Sequence, residues 1–237
     1  MSSKREHYYP IIVYVLLLVT VWLMSWILDI ATAFTASDID IKSLVSSEGL
    51  RWIMRNAMPV LNNIAWGEIL LAITALGLLQ GSGIIRVLKH LIKRQQLTKM
   101  EKRSLLFSLS ALLVYSTVLY VVTLSQWNIL LGVTGTLENS SFIRGLALVL
   151  FIGVLVVALI YGFMYGNYRS VLDAVSSIGN TFSSFVPAII ALIPASAVMA
   201  SVNYIGLLNI LDLTSFETNI IVAVFYSIPF LYIMLKR

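Results

Sequence analysis

The chain has no cysteine, which excludes disulfides, thiol catalysis and thiolate metal sites. Histidine is almost as scarce. His7 and His90 stand far apart, each near an expected membrane surface, so neither metal nor cofactor binding is expected. Charge is sparse as well: Asp, Glu, Lys and Arg make up 11% of 237 residues, too little to cover the surface of a soluble domain of this size. Ser, His and Asp never converge in local sequence. With no hydrolytic constellation in view, the chain is not expected to be an enzyme.

What the chain has in abundance is apolar length. Six segments approach or exceed the roughly 20 residues a helix needs to cross the hydrocarbon core: Ile11 to Leu28, Ile64 to Ile85, Ser104 to Leu124, Gly145 to Tyr165, Phe182 to Leu211 and Phe216 to Leu235. In lipid the backbone must satisfy its own hydrogen bonds, so each reads as a helix. The fold class is an all-α integral membrane protein with about six transmembrane helices, the fifth broken or kinked. A retained first span, rather than a cleaved leader, fits the length of the opening apolar run.

Basic residues orient the spans. Arg86, Lys89, Lys93, Arg94, Lys99, Lys102 and Arg103 share one loop with the single acid Glu101, and the positive-inside rule places that loop in the cytoplasm. Alternation then puts both termini inside, where Lys4, Arg5, Lys236 and Arg237 agree. The loop holding Asp29, Asp38, Asp40 and Glu48 falls outside. The expected location is the inner, cytoplasmic membrane, multi-pass. The net charge of +5 is then explained by anionic lipid at the cytoplasmic face, which attracts each basic side chain by roughly 1 kcal/mol, and no nucleic-acid partner is expected.

The chain reads as a single polytopic domain, 1–237. Within it, 1–92 holds two spans and an external helix, 93–103 is a basic cytoplasmic linker, and 104–237 holds four further spans. From Ser47 to Leu61 an apolar stripe of Leu50, Ile53, Met54, Ala57, Met58 and Leu61 recurs at helical spacing, opposite Arg51, Arg55 and Asn56. This suits an amphipathic helix lying in the outer interface, or one packed on its neighbours.

Several polar or flexible positions inside the spans are candidates for function. Glu68 is the one acid set several residues inside a span, and intramembrane acids are costly enough to suggest ion coupling. It lies only about 6 Å from the external end at 1.5 Å per residue, so an interfacial hydrogen bond is the alternative. Pro187 and Pro194 can interrupt the fifth span and free carbonyls, with Ser183, Ser184, Ser196 and Asn203 as polar lining of a pathway. Gly77 and Gly81, and again Gly162 and Gly166, are four apart and allow close helix packing.

Two patches carry a family resemblance. Glu48, Gly49, Leu50, Arg51, Trp52, Ile53 through Asn56, followed by Gly67, Gly77, Ser82 and Gly83, form the first. Ala158 to Gly162 with Ser177 to Gly179, and then Asn203, Tyr204, Ile205 and Gly206, form the second. Together they resemble the AbgT, or p-aminobenzoyl-glutamate, transporter family. Full-length members are secondary transporters built from inverted repeats, with two hairpins around a substrate site, and they work as dimers. This chain resembles a shortened, divergent member in which the linker Lys93 to Arg103 joins the patches and the substrate-binding hairpins have no counterpart. Two functions follow. One is a non-transporting structural or accessory subunit of a larger membrane assembly. The alternative is a homo-oligomeric secondary transporter of a small anionic solute, such as an aminobenzoyl-glutamate-like compound.

Overall fold

The computed structural model describes residues 8–35, 41–124, 130–131, 140–210 and 214–236. Lys4, Arg5, His7, Asp38, Asp40 and Arg237 lie outside them. Among the described residues the regular structure is entirely helical: α1 (Tyr9–Thr35), α2 (Ser47–Asn62), α3 (Trp66–Ser82), α4 (Ile84–Ile92), α5 (Lys99–Leu124), α6 (Ser141–Arg144), α7 (Leu146–Tyr165), α8 (Val171–Ile205), α9 (Leu207–Ile210) and α10 (Ser215–Leu235). Five of these, α1, α5, α7, α8 and α10, are long and apolar enough to cross a membrane, and α2 with α3 adds a sixth if the two form one broken span. The chain is an all-α, multi-pass membrane protein. Exposed apolar side chains along α1, such as Leu16 and Leu23, are what lipid-facing helices present.

Two elements differ from the sequence expectation in their limits. The second apolar segment stops at Ser82, giving α3 17 residues, or about 25 Å at 1.5 Å per residue. Gly83 takes φ 83°, a left-handed conformation that glycine adopts without the penalty of a Cβ, and the chain restarts there as α4. The fifth segment begins at Val171 and stays helical through Pro187 and Pro194. Its break comes instead at Gly206, where φ is 87° and α8 gives way to α9. Proline is tolerated inside membrane helices because neighbouring groups take up the freed carbonyls.

The chain forms two compact units, one of Met1–Ala65 with Ser184–Arg237 and one of Trp66–Ser183. In the second, Leu78, Ala158, Tyr168 and Ala174 make a buried cluster, and Ile84, Val87 and Tyr161 make another beneath α4. Tyr115 joins α5 to α7 by donating to the Val149 carbonyl at 2.7 Å. The turn after α7 closes the end of α3, since the Asn167 side-chain amide donates to the Ser82 carbonyl at 2.6 Å and the Tyr168 hydroxyl to that of Leu78 at 2.8 Å.

In the first unit, α8 offers a seam of Ala188, Ala191 and Ala195, all without exposed surface. Such small residues let helices approach closely. Tyr14 of α1 packs with Ala191 and Ala195, sets its ring edge-on to Phe225 at 4.9 Å, and donates to the Phe225 carbonyl at 2.6 Å. Trp22 donates its indole N–H to Ser201 at 3.3 Å. Ser46 caps α2 by accepting the Gly49 N–H at 3.0 Å. The stripe expected on α2 divides: Leu50, Met54 and Met58 are exposed, while Ile53 and Leu61 are half-buried.

Candidate functional site

Three helices of the first unit each present a stripe of side chains to one cavity of about 490 Å³. That size falls in the range of about 300–1,000 Å³ usual for small-molecule sites. From α2 and its C-terminal cap come Trp52, Asn56, Val60 and Asn63, spaced so that they share a helical face. From α8 come Ser196, Met199, Ala200 and Asn203, and from α10 Thr218, Val222 and Tyr226, again at intervals of three or four. Trp52 is held in place by Tyr204, whose ring centroid lies 4.4 Å away.

Among the described residues the lining contains amides and hydroxyls but no Asp, Glu, Lys or Arg. Their hydrogen bonding decides what they offer. Ser196 is buried and donates its hydroxyl proton to the Ile193 carbonyl at 2.8 Å; Thr218 does the same to Thr214 at 3.1 Å. Both therefore face the cavity as acceptors. Asn56 commits one N–H to the Trp52 carbonyl at 2.9 Å, which leaves its oxygen as an acceptor. Asn63 and Asn203 carry a carbonyl and an NH₂ each, so the site can both donate and accept.

Of the residues singled out in the sequence, Ser196 and Asn203 line this cavity. Ser183 is exposed and Ser184 half-buried, while Pro187 is buried and Pro194 half-buried; none of the four is among its lining residues. Glu68 belongs to the unit Trp66–Ser183. There it is exposed in the first turn of α3, where a carboxylate suits the positive end of the helix dipole. Gly77 lies so close to α8 that a Cβ would come within 2.8 Å of the Ile178 Cα. A Cβ at Gly81 would overlap Ser177, and one at Gly162 would overlap the Tyr168 ring. Gly166 caps α7 with φ 89°.

Sequence reading did not single out Asn63, Thr218 and Tyr226. The periodic signal was available in each helix, but nothing in one sequence says that three separate stripes meet. Glu101, the single acid of the basic loop, has its side chain buried at the start of α5. The Glu101 carboxylate accepts the Thr98 N–H at 2.8 Å and hydroxyl at 3.0 Å, with His90 Nδ1 3.7 Å from its other oxygen. The spacing Thr98-x-x-Glu101 is the local pattern that signals such a cap.

A family model described as the AbgT putative transporter family matches residues 88–220. The match takes in the second resemblance patch and the α8 lining of the cavity, and it begins after α2. No curated protein and no solved structure matches the chain.

Proposed function

The chain belongs to the AbgT putative transporter family, and from that premise we propose that it is a solute-handling, transporter-like membrane protein that binds a small uncharged molecule in the cavity of its first unit. The observation that carries the reading is the lining itself, in which, among the described residues, Asn56, Asn63, Ser196, Asn203 and Thr218 converge without a charged side chain. An anionic solute, the alternative drawn from the family resemblance, would require a cation beside it, because burying an unpaired charge is far costlier than burying an amide. The nearest basic residues in sequence, Arg51 and Arg55, are exposed and do not line the cavity. Ser196 and Asn203 thus stay in the proposed site, and Glu68 is the candidate for ion coupling outside it.

The proposed setting is the cytoplasmic membrane with both termini inside and the basic segment Arg86 to Arg103 against anionic lipid. There the chain works as a homo-oligomer. Purification from its native membrane in mild detergent, with mass determination of everything that co-elutes, tests this. A homo-oligomer without foreign subunits is the expected result, and uptake into proteoliposomes would follow. Stoichiometric foreign subunits would replace the reading with that of an accessory subunit in a larger assembly.

A further inference from the structure

Beside the polar cavity lies a smaller one of about 220 Å³, walled by Trp22, Ile53, Leu61, Ile193 and Ala197. The two share Trp52, Asn56, Val60, Ser196 and Ala200, so they are neighbouring lobes with a common wall. The smaller lobe alone falls below the usual range of about 300 Å³ and upward for a ligand site, whereas the pair together lies within it. We infer that the lobes form one bipartite site for an uncharged amphipathic molecule, with an amide- or hydroxyl-bearing head among the amides and an apolar arm in the smaller lobe. This rests on the reading of the larger cavity as a solute site.

Chemistry fixes the orientation. A head placed in the apolar lobe would lose its hydrogen bonds to water with little to replace them, while an apolar arm there leaves water at no such cost. Each methylene that enters the lobe should tighten binding about fourfold until the lobe is full. A phospholipid is a poor occupant, since its phosphate would meet no cation among the described residues of either lining.

The test uses the whole protein in nanodiscs of zwitterionic lipid, titrated with N-alkylacetamides from propyl to octyl and followed by ligand-observed NMR. Affinity is expected to rise about fourfold per methylene and then level off. Ala197→Phe, which touches only the smaller lobe, should abolish the rise with chain length across the series; Ala197→Val should make the plateau come sooner. Asn203→Leu, which touches only the larger lobe, should weaken every member about 2- to 10-fold. A rise that continues without a plateau and ignores Ala197→Phe is partition into lipid and overturns the inference. Propyl binding that depends on Asn203 but shows no rise with chain length would also overturn it while leaving the solute reading intact. If no member binds protein that remains folded, both fall.

Discussion

The hydroxyl of Tyr168 donates to the Leu78 carbonyl at 2.8 Å, and its ring fills the notch that Gly162 leaves open on α7. Tyr168 is buried and lies just past the left-handed turn at Gly166, so a residue outside the helices locks α3 to α7. In lipid, where association between helices draws little on the hydrophobic effect, such close packing and a satisfied carbonyl are what hold the unit together.

Gly162→Ala is therefore expected to destabilise the protein by about 1–3 kcal/mol, because the new Cβ overlaps a buried ring that is anchored through its hydroxyl. Tyr168→Phe, which keeps the ring and removes the hydroxyl, should cost about 0.6–2 kcal/mol, the range for hydrogen bonds between membrane helices. The decisive variant is the double one. Gly162→Ala with Tyr168→Ala should be less destabilised than the sum of its single changes, since the clash has gone, and thermal unfolding in detergent measures the difference. Strict additivity would mean that the two side chains do not share the notch.

Tyr14 offers the parallel case in the other unit. Its ring packs on Ala191 and Ala195, and its hydroxyl reaches the Phe225 carbonyl at 2.6 Å. Tyr14→Phe should lower stability by about 0.6–2 kcal/mol. Tyr14→Ala should cost more, about 3–5 kcal/mol, as the packing is lost as well. Equal melting temperatures for the two variants would show that packing by the ring contributes nothing.

The spans were legible because hydropathy acts through each helix on its own; lipid imposes the same demand on every one of them. Helix breaks were less so. Pro187 and Pro194 looked like interruptions, yet the helix runs through both and breaks at Gly206, one of several glycines that the sequence does not distinguish. For the cavity, Ser196 and Asn203 could be picked out as polar groups in an apolar segment. Asn63 and Thr218 could not, because their meaning depends on α2 and α10 coming together around α8. The burial of Glu101 was hidden for a different reason: it stands in a basic segment whose Lys99, Met100, Lys102 and Arg103 are exposed, and its bond to Thr98 marks it as different.

That bond makes a prediction of its own. Thr98 and Glu101 bond reciprocally, since the Thr98 hydroxyl also accepts the Glu101 N–H at 3.3 Å. Thr98→Ala or Glu101→Ala should each cost about 0.5–2 kcal/mol, and the double variant little more than the worse of the two. Glu101→Gln keeps an acceptor oxygen and should recover much of the loss. If it melts like Glu101→Ala, the charge next to His90, rather than the cap, is what stabilises this end of α5.

Orientation can be tested without removing any native thiol, because the chain has none. Seven basic residues between Arg86 and Arg103 compete with three, Lys42, Arg51 and Arg55, in the stretch from Asp29 to Asn63. Positive charge near span ends resists translocation, so the more basic segment should stay inside. Gln96 and Arg55 are both exposed and lie on the two segments in question. A cysteine at Gln96 should react with a membrane-impermeant maleimide only after the cells are opened, and one at Arg55 in intact cells. The reverse pattern would place the basic linker outside and invert the topology. Replacing Arg86, Lys89, Lys93 and Arg94 with Gln should weaken the preference and produce a mixed population, since the charge difference between these two segments would then have vanished and the basic residues at the termini would be left to set it.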